Sequence, residues 1–456
     1  MQTNFTPEQL QDPRLAEVNE ILRRCVHCGL CTATCSTYVV LGDERDSPRG
    51  RIYMMKDMFE RDSGVSPDVR RHVDRCLSCL SCMTTCPGGV DYMHLVDHAR
   101  AYIHEHGSRS WQERIARTLL AATVPYPNRF RLALQLVLLG RPFRHIMRAI
   151  GLKQLAAMIE LAPREKKKTN INFKMPGKSQ TKRKRQARVL LLAGCAQQVL
   201  RPDINDATFR LLSRRGVDVE IAAGSGCCGA VVHHMGLETQ AIEFAKRNVD
   251  AWWRSMQRES VDAIIMNASG CGTTVKDYAY LLKNVDGYGE LAQAIVDKAM
   301  DVTEFLSQYD LGPPMRWSSL KIAYHSACSM QHGQRISDAP KILLKDAGFT
   351  VVDIPEGHIC CGSAGTYNIM QPEIATSLRD RKADNIRSVK PDVVAIGNIG
   401  CISHLNAGCE FPIVHTIELL DWAHGGPAPN NLSAFKSNVH DVPIPAGRTT
   451  EDYLNI

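Results

Sequence analysis

Residues 25–35 read CVHCGLCTATC and residues 76–87 read CLSCLSCMTTCP. Both are C-x2-C-x2-C-x3-C, and each cysteine of the first run recurs 51 positions later: Cys25 and Cys76, Cys28 and Cys79, Cys31 and Cys82, Cys35 and Cys86. Nothing else in the chain constrains the fold as strongly. A [4Fe–4S] cube needs four thiolates arranged tetrahedrally around a compact core. Three cysteines at two-residue gaps wrap one side of it, and the fourth points away and ligates the other cluster. The spacing therefore predicts one cluster on Cys25, Cys28, Cys31 and Cys86, and another on Cys76, Cys79, Cys82 and Cys35. Pro87 stands where this pattern carries its proline, whereas Ser36 follows Cys35. Zinc sites also use C-x2-C pairs, but with a longer spacer between them. Gly29, Ser78, Ser81, Thr84 and Thr85 are small residues between the ligands, which suits backbone N–H bonds to cluster sulfurs. His27 reads as a surface side chain without a role.

A second duplication follows. Cys195 ends RVLLLAGC, Cys227-Cys228-Gly229 follows VDVEIAAGSG, and Cys271 ends DAIIMNASGC. Later, Cys328 ends KIAYHSAC, Cys360-Cys361-Gly362 follows VVDIPEGHI, and Cys401 ends DVVAIGNIGC. The offsets are 133 for Cys328, Cys360 and Cys361, and 130 for Cys401, so one half copies the other with a small deletion. In each half the cysteines end short β-branched runs separated by helical patterns, which predicts parallel α/β sheets. Sites in such sheets gather at the carboxyl ends of the strands. Cys195, Cys227, Cys228 and Cys271 are expected to converge, as are Cys328, Cys360, Cys361 and Cys401. Whether they hold a further cluster, act as redox thiols or simply pack is open at this level. Cys409 has no counterpart and reads as a structural thiol. His325 and His358 lie near these cysteines and read as satisfied core histidines.

The stretch GSGCCGA (224–230) also spells G-x-G-x-x-G. The second copy keeps Cys-Cys-Gly but carries Ile359 opposite Gly226. The acidic residues expected after the next strand are absent, because Glu238 and Glu243 fall in a helical run. The glycine pattern is read as chance.

Composition bounds the rest. The chain has 456 residues, 44% hydrophobic and 23% charged, enough for two to four globular domains. No run of about 18 apolar residues predicts a membrane span, and the start has neither a basic nor an apolar signal region. A cytoplasmic location is expected. In a reducing compartment seventeen cysteines argue for metal ligation or thiol chemistry rather than disulfides. Residues 164–188 hold eleven Lys/Arg and one Glu, so this segment alone exceeds the chain's net charge of +7. It reads as a solvated linker. Nucleic-acid binding is not expected of it, for no reading helix or stacking platform accompanies it. Attraction to an anionic membrane surface suits it better. Residues 129–160 are helical, with Leu, Ile and Met interleaved with Arg; they pack in the core, on a partner or on a membrane surface.

The fold class expected is thus mixed α+β and α/β. A small, mostly helical, bacterial-ferredoxin-like two-cluster domain (1–107) precedes a helical connector (108–163) and a basic linker (164–187). Two duplicated Cys-Cys-Gly domains with parallel sheets follow (188–312 and 313–425), and then a disordered tail (426–456).

These motifs carry a resemblance. A tandem ferredoxin unit followed by two Cys-Cys-Gly domains is similar to the iron–sulfur subunits of membrane-linked respiratory dehydrogenases. Within them the chain most resembles the iron–sulfur subunits of bacterial glycolate oxidase, also called glycolate dehydrogenase. The matching stretches are ILRRCVHCGLCTATCSTY, GDERDSPRGRIYMMK, GCAQ, GCCGAVVHH, NVDAWW, ASGCGTTVKDY, CCGSAGTYNIMQPEIA and NIGC, which span about residues 20 to 420. The related heterodisulfide reductase domains end in C-x2-C; here those second positions are Thr274 and His404, leaving four cysteines per half.

The resemblance implies a subunit without a substrate site or catalytic residues of its own, bound to flavin-binding glycolate dehydrogenase subunits. FAD is expected only on the partner, which takes two electrons from glycolate to give glyoxylate. Two [4Fe–4S] clusters in this chain are expected to carry electrons singly to a quinone, at the cytoplasmic face of the inner membrane with peripheral membrane contact. Lactate or glycerol 3-phosphate as the substrate, a heterodisulfide-reductase-like thiol–disulfide reductase, and a redox-sensing binding protein are the alternatives.

Overall fold

The computed structural model describes residues 1–61, 64–140, 142, 147, 153–161, 185–309, 311–432 and 439–441. Most of the expected basic linker, and the tail at 433–438 and 442–456, lie outside the described residues. Among the described residues, no helix is long and apolar enough to cross a membrane.

The N-terminal region is helical: α1 (Pro13–Arg23), α2 (Ser36–Leu41), α3 (Pro48–Arg61), α4 (Pro67–Asp74), α5 (Ser81–Thr85) and α6 (Tyr92–His106). Its helix starts follow local chemistry. Asp12, Ser66 and Asp91 accept from backbone N–H groups inside α1, α4 and α6, and Pro13 and Pro67 sit in the first turns of α1 and α4. A core of Leu22, Ile52, Met55, Phe59, Leu95 and Val96 holds the helices around the two cysteine loops. The connector provides α7 (Trp111–Thr123), α8 (Pro127–Gly140) and α9 (Lys153–Leu161).

Two four-stranded parallel sheets follow. In the first, β1 (Ala187–Leu191), β2 (Val217–Glu220), β3 (Ala263–Met266) and β4 (Ala299–Asp301) run in the order β2-β1-β3-β4. After β5 (Arg316–Ser318), the second has β6 (Lys321–His325), β7 (Thr350–Asp353), β8 (Val393–Ile396) and β9 (Ile413–His415) in the order β7-β6-β8-β9. Central strands such as β1 and β3 are buried along their whole length, as parallel strands covered on both faces require. The long helices α10 (Glu238–Arg258) and α11 (Pro372–Ser388) occupy corresponding places in the two halves. One continuous core joins the sheets, running from Val189 and Ile265 to Ile322 and Val394. Arg201 clasps Glu418 across the halves, with two contacts at 2.7 Å.

Two expectations are corrected. Ala187 and Arg188 are not solvated linker: they open β1, and buried Arg188 bonds Glu220 at 2.6 Å and Ser255 at 2.8 Å. Charge counting cannot separate a paired, buried arginine from its solvated neighbours. Nor is the tail wholly disordered: β10 (Val439–Asp441) pairs antiparallel with β5, and Leu432 is fully buried. Apolar positions spaced among Pro, Asn and Gly left no periodicity to read.

Candidate metal centres

The two ferredoxin loops share an unusual backbone. His27 and Ser78, one repeat apart, both have left-handed φ, at 56° and 49°. Gly29 and Leu80 do too, at 82° and 61°. Glycine takes that conformation freely, whereas Leu80 holds it at a cost of about 1–2 kcal/mol. The repeat therefore preserves a conformation rather than a residue. His27 is half-buried, its Nε2 3.4 Å from Met1 Sδ, so it is less of a surface side chain than expected.

The loops interleave. One cavity is lined by Cys25, Cys28, Cys31 and Cys86, joined by Cys82. A second is lined by Cys35, Cys76, Cys79 and Cys82. The fourth cysteine of each run has thus crossed to the other loop's cavity. Four free thiols around each cavity form a donor set suited to a [4Fe–4S] group, and the residues present fit two.

The surroundings of the cavities differ. The first opens to solvent, with Cys28 exposed beside Val26 (72% exposed) and Leu30 (55%). The second is lined by Arg51, which is 1% exposed. The Arg51 guanidinium donates to His72 O (2.6 Å), Thr37 Oγ1 (3.0 Å) and Asp46 Oδ1 (3.2 Å), and lies 3.8 Å from Cys35 Sγ. Burial alone would lower its pKa; the thiols of Cys76 and Cys35, with Tyr92 and Asp46, hold it raised. Tyr92 OH lies 3.7 Å from Cys76 Sγ, and Arg100 donates to Cys76 O at 2.7 Å. Burial pushes the Cys31 thiol up to about 11, and it pushes Cys79 and Cys82 up further still.

In each sheet the cysteines follow the carboxyl ends of three adjacent strands. Cys195 comes after β1, Cys227 and Cys228 after β2, and Cys271 after β3; Cys328, Cys360, Cys361 and Cys401 follow β6, β7 and β8 likewise. The thiols touch in rows, Cys195–Cys227–Cys228–Cys271 in the first half and Cys328–Cys360–Cys361–Cys401 in the second. Cys328 and Cys360 are 3.8 Å apart. Hydrogen bonds between neighbouring thiols, with burial, push Cys227 and Cys271 up. The same two neighbours push Cys228 down.

The Cys-Cys-Gly motif explains itself here. Gly229 and Gly362 have φ of 90° and 92°, and each donates its N–H to the first cysteine of its pair, Cys227 or Cys360, at 3.4 Å. A Cβ would stand 3.2 Å from Ala241 O in the first half and 2.6 Å from Ala375 O in the second, so a larger residue would crowd α10 and would not fit against α11 without displacing it. The G-x-G-x-x-G reading gains no support, because the Gly226 N–H is already engaged by Asn248 Oδ1 at 2.8 Å.

At the two positions where a fifth thiol would stand, both side chains are engaged elsewhere. Thr274 Oγ1 donates to Gly270 O at 3.2 Å, and His404 Nε2 donates to Ala375 O at 3.1 Å. His358 is exposed rather than core. His325 is buried, but it is not a satisfied core histidine: its Nε2 has no hydrogen-bond partner, and burial holds its pKa at about 3. Cys409 packs against the main core.

The halves meet different neighbours. Cys79 and Leu77 of the ferredoxin loop pack with Cys328, Ile359 and Cys360, and Ser36 Oγ accepts from Cys360 N at 2.9 Å. Cys195 and Cys227 pack instead against Leu120 and Ala121 of α7, Val232 and Phe244. Sequence reasoning missed Arg51, Arg100 and Tyr92; the first lies in the quoted stretch GDERDSPRGRIYMMK, where nothing separates a buried arginine from exposed ones.

Comparison with known proteins agrees with this layout. Residues 21–90 match the 4Fe-4S dicluster domain, and residues 189–276 and 322–406 both match the cysteine-rich domain that takes its short name from Cys-Cys-Gly. The chain is 40% identical to the glycolate oxidase iron-sulfur subunit of Escherichia coli K12, over 93% of this chain and 99% of the relative. It is 30% identical to a probable glycolate oxidase iron-sulfur subunit of Bacillus subtilis 168, over 90% and 94%. A lactate utilization protein A of Oceanobacillus iheyensis is 25% identical over 51% of this chain and 96% of its own. Among solved structures, a hypothetical protein from Helicobacter pylori shares the fold, with a TM-score of 0.53 at 9% identity over 95% of this chain and 76% of that one.

Proposed function

The chain belongs to the family of glycolate oxidase iron–sulfur subunits, and from that premise we propose that it relays electrons from a partner flavin subunit to a quinone during oxidation of glycolate to glyoxylate. The observation that carries this reading is the crossed lining of the two ferredoxin cavities. Cys25, Cys28, Cys31 and Cys86 would hold one [4Fe–4S] cluster, and Cys35, Cys76, Cys79 and Cys82 the other. Such clusters would supply one-electron redox steps, passing the two electrons of a reduced flavin on singly to a distant acceptor.

The chain's own part is placement and electrostatics. The exposed loop at Cys28 gives a redox partner close approach. Arg51 and Arg100 place positive charge beside the second cavity, which favours the more negative, reduced state of a group held there. Substrate chemistry and FAD are assigned to the partner.

Peripheral contact with the inner membrane from the cytoplasmic side is part of the proposal. It is supported by Trp111, Ile115 and Leu119 along one exposed line of α7 and by Leu132 and Leu136 on α8, with Arg129 and Arg131 beside them.

The test is anaerobic purification of the tagged chain with whatever copurifies, followed by visible absorbance. Addition of glycolate is expected to bleach the iron–sulfur bands, while L-lactate, D-lactate and glycerol 3-phosphate leave them. Bleaching by another of these acids moves the substrate and keeps the relay. The rows of touching thiols favour a second reading, thiol–disulfide chemistry. It gains if flavoprotein is present, dithionite bleaches the bands and no hydroxy acid does.

A further inference from the structure

We propose that His325, Cys361 and Cys401 form a thiolate–imidazole site for a single soft divalent cation, with zinc as its probe. The site lies outside the eight ferredoxin cysteines and does not rest on the relay reading.

The three ligand atoms all lie within 4.8 Å of one another, and all three residues are buried. A tetrahedral zinc ion, at about 2.3 Å from sulfur and about 2.0 Å from nitrogen, holds its ligand atoms roughly 3.5–4 Å apart, so only a small contraction is needed. The strands position them: His325 is the last residue of β6, Cys361 follows β7 and Cys401 follows β8, three neighbours in one sheet.

An independent observation points to a ligand. His325 Nε2 is buried without a hydrogen-bond partner. An orphaned buried polar atom costs about 1–3 kcal/mol, and a metal ligand bond would satisfy it. Cys360 lies beside Cys361 as a further thiol. Two or three thiolates around a divalent ion leave the centre neutral or singly negative. Buried Lys382 faces Cys361, Cys360 and Cys328 and compensates that excess.

The duplicated half shows what the device needs. The offset of 133 puts Leu192 opposite His325. Pairing Ala241 with Ala375 and Phe244 with Leu378, which pack on the two motif glycines, puts Asn248 opposite Lys382. The first half keeps the four cysteines but has neither an imidazole nor a cation at these two positions; its own buried imidazole, His234, stands beside Cys228 from another element. Among the described residues, the other group of this kind is Asp43, Asp46 and His72, where the Asp46 carboxylate already holds Arg51, His72 and Arg75.

The experiment uses the full chain, purified anaerobically from zinc-supplemented cells, with metal counting and zinc-edge X-ray absorption. About one zinc per chain is expected, with sulfur and nitrogen in its first shell. His325→Leu, which copies the first half, should weaken zinc binding by at least about tenfold while leaving the iron content unchanged. His325→Cys should keep the zinc and turn its shell to sulfur only, which separates loss of a ligand from loss of the fold. Cys409→Ser, outside both thiol rows, should leave the zinc unchanged. Wild-type chain that binds no zinc, zinc with a spectrum indifferent to His325→Leu, or extra iron held by sulfur alone would each overturn the proposal.

Discussion

The two Cys-Cys-Gly halves have the same strand order, the same cysteine row and the same glycine pinned against a helix, yet their surroundings differ. In the first half the row is backed by Leu192 and Asn248, has His234 beside Cys228 and faces the connector helix α7. In the second it is backed by His325 and Lys382 and faces the ferredoxin loop at Cys79. Duplication conserved what the backbone needs to gather four thiols. Divergence acted on the residues that set charge around them and on the surface each half presents.

The largest effect expected concerns the glycines. Gly362→Ala sets a Cβ 2.6 Å from a backbone oxygen on top of left-handed strain, and should cost about 3–4 kcal/mol; Gly229→Ala, at 3.2 Å, should cost about 1–2 kcal/mol. Thermal unfolding of both variants checks this, and equal losses would mean that the halves are packed alike. Next, Asn248→Ala leaves Gly226 N–H and Cys227 C=O unpaired and should cost about 2–3 kcal/mol. Lys382→Met loses one bond to Glu356 O but removes a buried charge, and should cost less. A larger loss for Lys382 in metal-loaded protein would sharpen the comparison by showing that the cation balances negative charge.

A third difference lies in how the halves dock on the ferredoxin unit. The second half uses neutral contacts such as Tyr367 OH to Arg75 O at 3.0 Å. The first uses His94, whose Nδ1 donates to Asp91 at 2.5 Å and Nε2 to Asp277 at 2.9 Å. Burial opposes its charge, but the two carboxylates win and raise its pKa from 6.5 to about 10. Asp91 is held down in spite of its own burial, while burial pushes Asp277 up, so Asp91 is the firmer counter-ion. With the folded pKa above the unfolded one, this stabilisation is fully present below about pH 6.5 and is lost as pH rises through about 10. His94→Gln should flatten stability against pH across that window, as read by unfolding midpoints. The smallest effect is expected from Lys283→Ala, which removes a half-exposed pair with Glu17 and should cost under about 1 kcal/mol, less at high salt.

Much of this was legible in the chain. The two cysteine runs predict which residues share a cavity, because ligand spacing within one loop is a local constraint. Strand ends followed by cysteine predict parallel sheets, because β-branched runs and intervening helices are local patterns too. His325 opposite Leu192 could have been found by subtracting 133 and reading the copies side by side. Asn248 opposite Lys382 could not, because the helix register shifts by one residue.

What the sequence determined by itself is the pair of four-cysteine cavities and the duplicated α/β halves, since both follow from spacings of a few residues. Only the tertiary structure decided that Arg51 and Arg188 are buried and paired, that Val439–Asp441 finds β5, that Cys79 meets the second half rather than the first, and that His325 Nε2 is left without a partner. Those outcomes depend on which groups meet across hundreds of residues of chain, and burial and pairing there are properties of the packed whole rather than of any segment.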